Sequence, residues 1–74
     1  MTFRQWAHAQ RKRQDAVGDV CRALLADPDA PTVRRSGRAT RRYLEHRVDW
    51  TMEARVLAAF DEAIAEWQSA AGRA

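Results

Sequence analysis

The sequence has few of the features that stabilise secreted proteins or hold proteins in membranes. Its 74 residues include one cysteine, Cys21, which cannot form a disulfide within the chain. No apolar run approaches the roughly 20 residues that cross a bilayer. The stretch "MTFRQWAHAQRKR" also lacks the apolar centre of a signal peptide. We therefore expect a cytoplasmic protein that does not act at a membrane.

Glycine and proline are also scarce, with three and two copies, and no stretch alternates apolar and polar residues as strands do. Apolar residues instead recur at intervals of three and four, which is typical of amphipathic helices. Thr2 and Asp15 are expected N-caps of the first two helices, and Asp49 or Thr51 of the last. The predicted helices cover 3–13, 16–26, about 38–47 and roughly 51–69. The fold class predicted is all-α, a compact four-helix bundle forming one domain over residues 1–74.

A chain this short is stable only if its large apolar residues meet in one cluster. Such a core leaves too few residues to enclose a deep substrate pocket as well. Gly18, inside the second helix, indicates close packing against a neighbouring segment. The predicted core comprises Phe3, Trp6, Val17, Cys21, Leu24, Leu44, Val56, Phe60, Ile64 and Trp67.

Charge is unevenly distributed along the chain. Residues 1–47 carry 11 Lys/Arg and 5 Asp/Glu, whereas residues 48–74 carry 2 and 5, within a net charge of +3. Lys12 is the only lysine, and arginine presents a planar, bidentate donor fork to phosphates. The densest basic stretch is "TVRRSGRATRR", residues 32–42, which contains no acid.

On a helix, most of this stretch forms one face, because positions i, i+3, i+4 and i+7 are neighbours. Glu45 is the acid on that face and could pair with the arginines there. One interpretation is therefore a solvated charged surface. The other is a phosphate-binding surface at a loop-to-helix junction, with Ser36 and free helix amides as further donors. The candidate residues are Arg34, Arg35, Arg38, Arg41 and Arg42.

Several segments together resemble the YozE-like family of small bacterial proteins, whose fold is similar to the sterile alpha motif (SAM). They are "TFRQW", "AVGDV", "DPDAP", "RYLE" and "AFDEAIAEW", in that order between residues 2 and 67. The most specific is "FDEA" with an aromatic residue, Trp67, four positions later. The resemblance implies a bundle of four helices and no enzyme activity, since the family offers no catalytic residues to carry over.

The sequence departs from this family pattern at three places. Ala30 lies where an aromatic residue commonly precedes the loop proline, and Ile64 lies where tryptophan is common. The segment 34–42 is also far more basic than the family pattern. A function that depends on these arginines therefore cannot be inferred from the resemblance.

No pattern of catalytic or metal-binding residues emerges. Asp61 and Glu62 are adjacent on a helix and point in different directions, so they do not form a convergent carboxylate pair. Cys21 lies on an apolar stripe and is expected in the core. His8 and His46 have no partner at metal-ligand spacing. We expect no enzyme activity, no cofactor, no metal and no small-molecule substrate.

The expected function is that of a non-enzymatic binding module, with DNA or RNA held by the five arginines without strong sequence preference. The alternative is binding to a protein or to a second copy, through the basic face or the acidic last helix. Reversing the charge of Glu62 or Glu66 should then alter self-association. Trp50 either covers the end of the bundle or belongs to a partner surface. Trp6 and Trp67 are expected in the core, where they could not stack on bases.

Overall fold

The computed structural model describes residues 1–34, 36–47 and 53–72, and it confirms the all-α fold class. Helices α1 to α4 form a four-helix bundle, and the described ranges contain no strand. The helices are α1 (Phe3–Ala9), α2 (Ala16–Ala26), α3 (Arg38–Arg47) and α4 (Glu53–Gly72).

Helix α1 begins where the sequence predicts and ends earlier. The Thr2 hydroxyl accepts a hydrogen bond from the Gln5 amide, and the Gln5 side chain accepts one from the Thr2 amide. This capping box satisfies two amides that the first turn leaves free. The predicted end at residue 13 is wrong, because α1 stops at Ala9. Beyond it, the Arg22 guanidinium binds the carbonyls of Arg11 and Arg13, which are turned out of the helical path.

Helix α2 has the predicted bounds, and its first turn explains Gly18. Asp15 caps α2 by accepting a hydrogen bond from the Gly18 amide at 2.9 Å. A Cβ atom on Gly18 would clash with the carbonyl oxygen of Arg13 and lie 2.8 Å from the Arg13 Cβ. Only glycine therefore allows the α1–α2 linker to lie against the start of α2.

Helix α3 also has the predicted bounds, and Gly37 allows the start of α3 to lie close to α4. Gly37 has a φ of 70°, a conformation that favours glycine. A Cβ there would lie 2.8 Å from Ile64 Cδ1 and 2.9 Å from Phe60 Cζ. The start of α3 can therefore pack directly on two core side chains of α4.

Helix α4 extends further than predicted at its C-terminal end. The sequence predicts that Gly72 lies beyond the helix, but the structure includes it. The alanines before Gly72 favour helix, and no atom crowds it. Its expected caps, Asp49 and Thr51, lie outside the described residues.

The core largely matches the prediction. Eight of the predicted residues are buried, whereas Val56 and Trp67 are half-buried at its edge. An aromatic cluster surrounds Phe3, whose ring centroid lies 5.5 Å from that of Trp67 in an edge-on contact. Two small residues of α4 that the sequence pattern did not single out, Ala59 and Ala63, are also buried.

The connections between helices place α3 on the outside of the bundle. Helix α4 packs against α1, α2 and α3, and α1 packs against α2. The loop after α2 also holds α3, because the buried Thr40 hydroxyl donates to the Pro31 carbonyl at 3.3 Å. Among the described helices, none combines the length and apolar character needed to cross a membrane.

Candidate functional site

The basic face of α3 contains arginines in two different states. The side chains of Arg34, Arg38 and Arg42 are exposed and form no hydrogen bond or ion pair within the described chain. Arg38 and Arg42 lie one helical turn apart on α3, and the Arg34 carbonyl accepts the Gly37 amide just before the helix. These three residues are termed the free arginine row. Arg35 lies outside the described residues.

Arg41 differs from the free arginine row because it is held by two carboxylates. Its Nε and Nη2 donate to Asp61 of α4 at 2.9 and 3.2 Å, and its Nη1 donates to Glu45 at 2.7 Å. These bonds, led by those with Asp61, raise the pKa of Arg41. Arg41 therefore fastens α3 to α4, and the structure separates it from the other predicted phosphate ligands.

The C-terminal half of α3 is fastened to the loop after α2. Tyr43 donates its hydroxyl to Asp27 Oδ2 at 2.6 Å, and Arg47 Nε donates to the Tyr43 oxygen at 2.9 Å. The Arg47 guanidinium also lies 5.0 Å from the centre of the Tyr43 ring and 3.7 Å from Asp29. The hydrogen bond from Tyr43 lowers the pKa of Asp27, and the same bond raises the pKa of Tyr43.

A second group of bound arginines lies at the α1–α2 linker. Arg13 donates to Glu66 of α4 at 2.8 Å and to Asp15 at 2.6 Å. These bonds, first that with Glu66, raise the pKa of Arg13, while the Arg13 guanidinium lowers the pKa of Asp15. Arg22 pairs with Asp19 in addition to its bonds with the linker carbonyls. This arrangement ties the linker to both α2 and α4.

Folding therefore leaves an excess of unpaired positive charge. Every carboxylate side chain that the structure describes at positions 15–45 and 61–66 forms an ion pair, except that of Glu62. Four arginines, Arg13, Arg22, Arg41 and Arg47, hold these carboxylates. The described cations that form no ion pair are Arg4, Arg11, Lys12, Arg34, Arg38, Arg42 and Arg55.

The cysteine and two of the tryptophans considered in the sequence analysis contribute to packing and not to a binding surface. Cys21 is fully buried, and burial raises the pKa of its thiol, which disfavours the reactive thiolate. Trp6 lies in the core, and the Trp67 indole donates to the Met1 carbonyl at 3.2 Å. Within the ranges described, no cluster of three metal-ligating side chains occurs. Trp50 lies outside these ranges.

Sequence reasoning missed an open groove between α1 and the loop after α2. The groove has a volume of about 640 Å³ and lies between α1, the end of α2 and residues 27–33. Pro28 and Pro31 were a usable signal, because they force the chain away from α2. Which helix the loop then faces depends on tertiary packing, so the groove could not be predicted from local patterns.

Comparison of the chain with protein-family models, with curated proteins and with solved structures finds no match.

Proposed function

We propose that this protein is a non-enzymatic, cytoplasmic binding module that holds the phosphate backbone of a nucleic acid. The free arginine row forms the described part of the contact surface, and Arg35 is assigned to the same surface from its place in the sequence. Arg41 supports this surface by fixing α3 on α4. We further propose that the resemblance to the YozE-like family reflects membership, with which a four-helix bundle agrees.

The observation that carries the proposal is the difference between paired and unpaired charges. Folding uses nearly all described carboxylates to hold Arg13, Arg22, Arg41 and Arg47, while the free arginine row faces solvent without counter-charges. A polyanion gains affinity on such a surface by releasing its condensed counterions. Arginine adds bidentate, charge-assisted hydrogen bonds to phosphate oxygens.

The positions of these residues suit a repeating ligand. Arg38 and Arg42 are separated by about 6 Å along the α3 axis, given the rise of an α-helix. Arg34 lies immediately before the turn at Gly37, which brings its main chain next to the start of α3. Such a row can contact successive phosphates of one strand. Because phosphate contacts carry no base information, we expect little sequence preference.

The alternative of self-association between the basic face and α4 has less support. Asp61 and Glu66, two acids of α4, are bound within the same chain by Arg41 and Arg13. Among the three acids at positions 61–66 of α4, only Glu62 is unpaired. The charge complementarity that suggested this contact is thus largely satisfied inside one molecule.

The test is a fluorescence-anisotropy titration of a labelled DNA duplex at low salt. Wild type is compared with Arg38→Glu/Arg42→Glu and with a control, Arg11→Glu/Lys12→Glu, which changes net charge equally in the α1–α2 linker. We expect micromolar binding by wild type and the loss of about tenfold or more in the α3 variant. The linker variant should retain most of the affinity.

Circular dichroism establishes that each variant is folded before titration. Equal losses of duplex affinity in both variants would show that net charge alone determines binding, which would contradict a site on α3. No binding by the wild type to duplex or single-stranded DNA or RNA at low salt would reject the proposal. Light scattering of wild type and a Glu62→Lys variant then tests self-association.

A further inference from the structure

The groove between α1 and the loop after α2 has an apolar floor and walls. Phe3 and Leu24 form part of its floor, and the half-buried Leu25 and Val33 line it as well. Leu25 and Val33 are partly uncovered although the core continues directly beneath them. A ligand with apolar side chains would remove this surface from water, which favours binding.

The charges on the groove select for an acidic ligand. Two charged residues line it, Arg4 and Asp27. Asp27 already accepts hydrogen bonds from Tyr43 and from the Asp29 amide, and it faces Arg47. Arg4 is exposed and has no partner in the described chain. The charge that remains available at the groove is therefore positive.

The main chain beside the groove favours a peptide over other apolar ligands. Thr32 and Val33 line the groove in a segment without regular secondary structure. In the described chain, their amides and carbonyls form no hydrogen bonds. Main-chain groups that are free beside an apolar groove can pair with the main chain of an extended peptide, while alternate side chains of the peptide enter the groove.

We propose that this groove binds an extended peptide segment of a partner protein, one that presents apolar side chains and a carboxylate to Arg4. The site is separate from the free arginine row and goes beyond the proposed nucleic-acid binding. The protein would thereby connect a nucleic acid bound at α3 to a second protein bound between α1 and the loop.

The test begins with selection of eight-residue peptides from a random displayed library on the full chain. We expect the enriched peptides to share apolar residues at alternate positions and at least one acidic residue. Synthetic labelled copies should lose about tenfold in affinity for an Arg4→Glu variant, since one charge-assisted contact becomes a repulsion. Methylating alternate backbone nitrogens of the peptide should weaken binding by a similar factor.

Two control variants locate the site. Arg38→Glu/Arg42→Glu should bind the peptides as wild type does, which excludes simple attraction to the arginines of α3. Arg11→Glu, another exposed cation, should also have no effect. Duplex binding by Arg4→Glu should stay near the wild-type value, so the two proposals can fail separately.

Three results would overturn the proposal. The first is that no peptide motif is enriched. The second is that enriched peptides bind Arg4→Glu as tightly as wild type. The third is that a fluorescent fatty acid binds to wild type but not to Arg4→Glu while no peptide is selected, which would assign the groove to a lipid.

Discussion

Two arginine-rich regions of this molecule have opposite roles. At the α1–α2 linker, Arg13 of the linker and Arg22 of α2 bind carboxylates and main-chain carbonyls and hold three helices together. On α3, Arg38 and Arg42 bind nothing in the described chain. The residue type is the same, so the fold decides which arginines stabilise the protein and which remain available to a ligand. Substitutions in the two regions should therefore differ in their effects on stability and on nucleic-acid binding.

The largest loss of stability should come from placing a side chain between α2 and the α1–α2 linker. Gly18→Ala places a Cβ against the Arg13 carbonyl, a backbone atom that cannot move without breaking the Arg22 bonds. We expect a loss of about 2–3 kcal/mol in the free energy of unfolding. Thermal denaturation should show a midpoint lower by roughly 10–20 °C.

The matched control for this change is Gly72→Ala. No atom lies within 4 Å of the position that its new Cβ would take. It should leave the midpoint unchanged or raise it slightly, because alanine favours helix. Equal midpoints for the two variants would contradict the close packing assigned to the linker.

A smaller effect should separate a bound arginine from a free one. Arg13→Ala removes hydrogen bonds to Glu66 and Asp15, and we expect it to cost about 1–2 kcal/mol because the pairs are partly exposed. Arg38→Ala removes no contact that the structure describes and should change stability by less than about 0.5 kcal/mol. Urea denaturation at neutral pH measures both. Equal costs would remove the distinction between the two regions.

Low pH should weaken the contact between the C-terminal half of α3 and the loop after α2. The lowered pKa of Asp27 means that its contribution to stability is present above the unfolded value of about 3.9 and is lost as pH falls through the folded value. Tyr43→Phe removes the main cause of that shift. We expect it to lower the thermal midpoint at pH 7 and to lower it less at pH 3. A difference that persists unchanged at pH 3 would contradict the assigned role of the Tyr43–Asp27 bond.

The smallest effect should come from removing one of the two carboxylates that hold Arg41. Asp61→Asn releases Arg41 from its main carboxylate partner, so duplex affinity at low salt should rise about threefold. Glu62→Gln removes the same charge from an acid that holds no arginine. The gain in duplex affinity of Glu62→Gln should therefore be smaller than that of Asp61→Asn. Anisotropy titration that gives equal gains would show that the pairing of Arg41 does not limit binding.

Local signals in the sequence predicted much of the fold. Asp15 marks the start of α2 and the "DPDAP" loop its end, and Gly37 precedes α3, so the bounds of both helices follow from neighbouring residues. The end of α1 could not be predicted in this way. It depends on Arg22, which binds carbonyls 9 and 11 positions earlier and turns the linker out of the helix.

Part of the candidate site could also be predicted from the sequence. Helical spacing correctly placed Arg38 and Arg42 on an exposed face. It could not separate Arg41 from them, because Glu45 could pair with any of the three and the other partner of Arg41, Asp61, lies 20 positions later on another helix. The groove near Arg4 likewise depends on how the loop after α2 lies against α1.

The salt dependence of duplex binding by the wild-type protein tests directly whether these arginines contact phosphates. If Arg34, Arg38 and Arg42, with or without Arg35, each neutralise one phosphate, the logarithm of the association constant should fall with the logarithm of salt concentration with a slope of about −3. A slope near zero, or no binding at the lowest salt concentration, would contradict the assignment of these arginines to a nucleic-acid backbone.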